Sequence, residues 1–268
     1  MANGYWVVRT YEAGAVGEKT KFWVPGERPS KSSRREKQEI KKQEQNEHSA
    51  VKTLARLING NYGEGDLLMG LDYSPAGTDR LVNWLRVQGK DPNQAEEAER
   101  MDLIREAAER EAKLVLRRVK RELAKQGIAL SYILVTSDMD GDTGEAVRIH
   151  HHLIVPKEAK WAFVEKWKEL GHVDWSPLSK QEDYTAIAEY LIRQVRHIPD
   201  AKKYVSSRNL IRPVPKDRVV LSDAELRVPK GGKLLHRNEF RPGRPQYIRY
   251  VIPEEKRKSA PPGREKTT

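Results

Sequence analysis

Apolar residues along this chain switch between a period of two and a period near 3.6, and the switches mark out its elements. Tyr5–Val8 and Lys21–Val24 are short strand-like pieces that would pair as a small hairpin. The chain then turns polar, with a charged run from Ser30 to Glu47 that reads as a solvated helix or a linker. Ala50, Val51, Leu54, Leu57 and Ile58 keep helical spacing, closed by Gly60. Asp66–Tyr73 reads as a buried strand, ended by the turn-like Ser74-Pro75-Ala76-Gly77. A long charged helix is predicted over 93–126. Met101, Ile104, Ala108, Leu114, Val115, Val119 and Leu123 recur along it at approximate helical spacing, and Gly127 is its C-cap.

Leu130–Thr136 is a second strand, Asp138–Gly144 a turn and Val147–Val155 a third strand. The turn has the Asp-rich composition of a calcium loop but not the closing glutamate, so that reading is rejected. Lys160–Leu170 is an amphipathic helix carrying Trp161, Phe163, Val164 and Trp167. Val173–Trp175 is a fourth short strand and Gln181–Val195 a last helix. The order β-α-β-β-α-β-α predicts an α+β fold. Its form would be a ferredoxin-like split βαβ antiparallel sheet with helices on one face and the last helix packed beside the third strand. The main domain is expected over 61–214, with extensions over 1–60 and 215–268.

The third strand carries the chemistry. It reads Val147-Arg148-Ile149-His150-His151-His152-Leu153-Ile154-Val155, three consecutive histidines among β-branched and aliphatic neighbours. Side chains alternate across a strand, so His150 and His152 share a face and His151 points the other way. Two imidazoles about 7 Å apart along one face can converge on one metal ion. With a carboxylate they suit Mg²⁺, Mn²⁺ or Zn²⁺. Asp138, at the end of the preceding strand, is the favoured third ligand, with Asp140 and Asp142 close by. Such polar groups on a half-buried strand need partners, which weighs against histidines that merely fill the sheet surface.

Tyr190 lies on the last helix, with Arg193 and Gln194 following. A phenol with a pKa near ~10 is a weak nucleophile at neutral pH. A metal that polarises a scissile phosphate would lower the demand on it. Gln194, at i+4, shares the face of Tyr190, and Arg193 could contact the phosphate. Tyr184, six positions back, projects elsewhere and reads as structural.

Charge changes the picture again. Of 50 Lys+Arg and 39 Asp+Glu, 18 and 7 fall in residues 201–268, which leaves 32 of each in the first 200. The whole net charge of +11 therefore sits in the last quarter, a segregation that points to a polyanion such as nucleic acid. Arg208, Asn209, Arg212, Arg241 and Arg244 are the candidate DNA contacts there. The absence of cysteine excludes disulfides, thiolate metal sites and a cysteine nucleophile. With no run of 18 apolar residues and no signal-like start, the expectation is a cytoplasmic protein with no membrane partner.

Taken in order, these motifs resemble those of HUH endonucleases of the rolling-circle replication initiator type. Asp66–Tyr73 is similar to the first-motif strand, Arg148–Ile154 to the metal-binding histidine strand and Ala188–Gln194 to the tyrosine motif. Tyr204–Pro213, with Ser207-Arg208-Asn209-Leu210, is similar to a segment of replication-associated proteins of bacterial mobile elements and phages. The likeness covers roughly residues 62–214, the expected nuclease domain. His151 stands where an apolar residue is usual, Ser137 where a glutamate is frequent, and Arg193 where a lysine is common. Gln194 takes the place of the second tyrosine of two-tyrosine initiators, so the resemblance implies a one-tyrosine enzyme.

The resemblance implies nicking and rejoining of single-stranded DNA at a replication origin through a 5′-phosphotyrosine. The cofactor would be Mg²⁺ or Mn²⁺, and the origin could present a hairpin. Host helicase and polymerase would be partners, since no GxxxxGK[ST] occurs. Conjugative relaxases place the tyrosine before the histidines; here it follows them, as it also does in one-tyrosine transposases. A relaxase or transposase, a non-catalytic DNA-binding module, and a zinc-dependent hydrolase in which Tyr190 only packs are the competing readings.

Overall fold

The computed structural model describes residues 4–26, 39–198 and 201–257. The charged run from Ser30 lies outside the described residues up to residue 38. The chain is α+β, divided into two compact units, and both of its sheets are antiparallel. Among the described residues no helix is long and apolar enough to cross a membrane.

The first unit takes residues 1–61, 182–186 and 211–268. Its hairpin is longer than the apolar pieces imply: β1 (Gly4–Ala13) pairs over its whole length with β2 (Val16–Pro25). β8 (Lys216–Val220), β9 (Lys233–Arg237) and β10 (Gln246–Val251) complete a sheet of order β8-β1-β2-β10-β9. The two extensions, separate in the sequence, thus share one sheet. Lys21 is buried in it against Asp223 at 2.9 Å, with its ammonium over the Trp6 ring. Helix α1 (Glu39–Asn61) meets β1 and β2, where Arg56 pairs with Glu18 at 2.7 Å and covers Tyr11.

The second unit takes residues 62–181 and 187–210. Its strands are β3 (Leu67–Tyr73), β4 (Ile133–Met139), β5 (Ala146–Val155), β6 (Gly171–Pro177) and β7 (Val205–Ser206). Their order is β6-β3-β5-β4-β7, with every pair antiparallel. β5 therefore lies between the mutually parallel β3 and β4, which is a split βαβ arrangement. Burial alternates along β3. Leu67, Met69, Leu71 and Tyr73 enter a core with Leu81 and Leu85 of α2 (Pro75–Val87), Ala108, Val115 and Val119 of α3 (Glu97–Lys125), and Phe163 and Trp167 of α4 (Lys160–Trp167).

Helix α2 departs from the sequence expectation. Ser74-Pro75-Ala76-Gly77 reads as a turn, yet it opens a helix. Ser74 is the N-cap, its Oγ accepting from the Gly77 amide at 3.1 Å, and Pro75 supplies a fixed φ in the first turn. Gly77 is required there, because a Cβ would lie 1.8 Å from the Leu170 carbonyl oxygen. The turn after β4 is held by Asp140, whose Oδ1 accepts from the amides of Asp142 and Thr143. That local cap accounts for the aspartate without any ion.

Candidate metal and nucleophile site

β5 sets the site through its pleat and register. Leu71 lies opposite His151, Asp72 opposite His150 and Gly70 opposite His152. His151 therefore goes into the core beneath the helices. It is fully buried and bonded on both ring nitrogens, to Thr136 Oγ1 at 3.1 Å and to the Tyr73 hydroxyl at 3.0 Å. Burial above all, then the fields of His150, Arg105 and His152, push its pKa down to about 3. It is a neutral spacer.

His150 and His152 emerge on the opposite face, and their Nε2 atoms converge to 3.1 Å. The Nδ1 of His150 lies 3.0 Å from the carbonyl oxygen of Arg148, which can only accept. Nδ1 of the neutral ring therefore carries the proton and Nε2 keeps its lone pair, the tautomer a metal ligand needs. Burial lowers the proton affinity of His152, and His150 adds to the effect. Gln194 and the carboxylates of Asp174 and Asp72 act the other way.

The third group is Gln194. It follows α5 (Thr185–Arg193) and places its Oε1 2.9 Å from His152 Nε2. Its carbonyl accepts from the amides of Asp138 and Met139, each at 3.2 Å, which ties the end of the helix to β4. Its Nε2 and the Oγ of Ser137, which lies opposite His150, are buried without a hydrogen-bond partner among the described residues. Two imidazole nitrogens and an amide oxygen thus converge beside orphaned polar atoms; His152 Nε2 donates its proton to Gln194 Oε1, and a divalent cation taking the place of that proton would meet a set suited to it. Among the described residues no three His, Cys, Asp or Glu side chains converge in this way, and the oxygen beside the histidine pair is that of an amide.

Asp138, expected as the third ligand, stands elsewhere. It is 3% exposed, and its Oδ2 accepts from Arg196 Nε at 3.0 Å and pairs with Arg105 at 2.8 Å, while its Oδ1 accepts from the Arg196 amide. Two arginines hold it as a structural anion at the end of β4. Asp142 is exposed and faces Arg193 at 3.6 Å.

Tyr190 lies against the pair. Its ring meets that of His152 edge to face, with centroids 5.6 Å apart, and it is 44% exposed. Tyr184 is 4% exposed and precedes the helix, its amide donating to Asn59 Oδ1. The structure thus brings together His150, His152, Tyr190 and Gln194, with Arg193 exposed next to them.

The expected DNA contacts scatter by comparison. Arg208 is exposed in the second unit, and the adjacent Asn209 donates to the Leu130 carbonyl. Arg212, Arg241 and Arg244 belong to the first unit and are exposed; the last two share the turn between β9 and β10. Comparison of the chain with models of known families, with curated proteins and with solved structures returns no match.

Proposed function

We propose that this chain is a metal-dependent endonuclease of the HUH type that nicks and rejoins single-stranded DNA. On this reading Tyr190 is the nucleophile and His150, His152 and Gln194 hold Mg²⁺ or Mn²⁺. The observation that carries the reading is the exposed Tyr190 ring seated on His152, whose Nε2 converges with His150 Nε2 and Gln194 Oε1. The β3–α–β4–β5–α–β6 order that frames the site supports it.

The cation, when bound, polarises the scissile phosphate and offsets charge in the transition state. The chain's residues do the rest. The Tyr190 oxygen forms a bond to phosphorus as the bond from phosphorus to the 3′-oxygen breaks. The phenol proton passes, directly or through solvent, to the leaving 3′-oxygen. The products are a 5′-phosphotyrosine and a free 3′-OH, and reversal rejoins the strand without a nucleotide cofactor. Arg193 is placed to meet a phosphate, and His151 fixes the strand that aims its two neighbours.

The order of histidine strand before tyrosine helix favours initiation of rolling-circle replication over relaxase activity. Origin DNA, host helicase and polymerase are the partners this role requires. Incubation with Mn²⁺ and a 3′-end-labelled library of random single-stranded DNA tests the reading. The label should travel with the protein through SDS, and its absence at all metal concentrations would refute covalent catalysis.

A further inference from the structure

The register that aims the histidines continues across a third strand. Gly70 of β3 lies opposite His152 on one side and opposite Asp174 of β6 on the other. Directly opposed residues of antiparallel strands share a face, so Asp174 stands on the face of His150 and His152. Its side chain leans inward from the edge strand. A Cβ on Gly70 would lie 2.1 Å from Asp174 Oδ1 and 2.9 Å from its Cγ, so the carboxylate occupies the space that Gly70 leaves empty. It therefore sits over β3, between β6 and His152.

Asp174 makes no hydrogen bond or ion pair among the described residues. Asp174 is exposed as a residue, but its carboxylate leans along the sheet face over Gly70 toward the pair, and its charge raises the proton affinity of His152 as it would favour any cation there. The ligand set next to it is wholly neutral, two imidazoles and an amide, and of the two carboxylates on this face Asp174 acts on His152 more strongly than Asp72.

We infer that Asp174 is a positioning residue for the cation: it stays outside the ligand set and supplies the negative charge that the three neutral ligands lack. The inference rests on the metal site proposed above. It also assigns Gly70 a role, since only glycine at that position lets the carboxylate lean toward the pair. Groups that act on a metal from beyond its ligands typically change affinity by roughly 10–100-fold.

The test is Mn²⁺ binding to the full chain, read from the electron paramagnetic resonance signal of free Mn²⁺. H150A/H152A should lose the site. D174N should bind about tenfold more weakly, because it keeps shape and removes charge. G70A should also bind more weakly, its methyl displacing the flexible carboxylate, and should add nothing in the D174N background. Urea midpoints of D174N and G70A near that of the unaltered chain establish that folding is not the cause. Unaltered Mn²⁺ affinity in D174N, with binding still dependent on the histidine pair, overturns the role of Asp174 alone. An additive effect of G70A also overturns it, placing the cause in strand packing. If the unaltered chain shows no pair-dependent Mn²⁺ binding, the site reading fails and this inference fails with it.

Discussion

Gln194 Oε1 lies 2.9 Å from His152 Nε2, four residues beyond the tyrosine whose ring rests on the same histidine. One short segment thus carries both the proposed nucleophile and the third donor. Q194A should weaken Mn²⁺ binding and slow cleavage by roughly 100-fold or more, since it removes a ligand rather than a supporting partner. Q194E retains an oxygen in place and should keep the metal. Calorimetric Mn²⁺ titration checks both, and a Q194A chain that binds as before would exclude Gln194 from the set.

Tyr190→Phe removes one exposed hydroxyl and should abolish the covalent adduct while leaving affinity for single-stranded DNA unchanged. Tyr184→Phe should retain the adduct and lose about 1 kcal/mol of stability, because the change falls on a buried side chain. Peptide mapping of the trapped adduct decides between them. A nucleotide on Tyr184, Tyr204 or Tyr11 would overturn the assignment.

Asp138 separates its two possible roles by stability. Removing one partner of a buried ion pair leaves the other charge uncompensated, at a cost of roughly 3–5 kcal/mol. Asp138→Ala should therefore lower the urea midpoint strongly, with Arg105 and Arg196 left facing a cavity. The fraction that remains folded should still bind Mn²⁺. Loss of metal with unchanged stability would restore Asp138 as a ligand.

His151 gives the fold an acid-sensitive point. Its folded pKa of about 3 lies below the ordinary histidine value, so on acidification the unfolded chain takes up a proton that the folded chain refuses. The contribution to stability is complete above about pH 6.5 and declines as the pH falls toward 3, approaching about 1.4 kcal/mol per pH unit. His151→Phe should lose this dependence. At pH 8 it should also cost about 1–3 kcal/mol, because Thr136 Oγ1 and the Tyr73 hydroxyl lose a buried partner. Urea titrations of both chains at several pH values, with metal chelated, measure the difference in slope.

Much of this site was legible in the chain because strand alternation is a strong local rule. Nine residues were enough to place His150 and His152 together and His151 opposite. The tyrosine helix was legible from its apolar spacing. The third donor was not, because sequence spacing does not tell which side-chain atoms meet across elements. Asp138 is nearer in sequence and is a better ligand type, yet α3 and the residue two beyond Gln194 bring arginines to it. Asp174 and Gly70 were hidden for the same reason, their relation being one of register between β3 and β6. The missed helix α2 turns on Ser-Pro, which opens turns and helices alike. β8 and β9 carry few apolar residues, and pairing to β1 and β10 makes them strands.

Much of the basic C-terminal quarter is built into the two sheets. Deleting residues 201–268 would remove β8, β9 and β10 from the sheet that holds β1 and β2, and β7 from the other, so a truncation would report on folding rather than on DNA. Exposed side chains in a turn are the better probe. Arg241 and Arg244 lie between β9 and β10, where substitution breaks no ladder bond, although Arg241 also pairs with Glu239. Arg241→Ala and Arg244→Ala should weaken binding to single-stranded DNA of any sequence. For every phosphate that goes unneutralised, the slope of log affinity against log salt should fall by about 0.7. Fluorescence anisotropy of a labelled oligonucleotide across a salt series reads that slope. If both variants match the unaltered chain at every salt concentration, this turn does not touch the DNA backbone and the excess positive charge acts elsewhere.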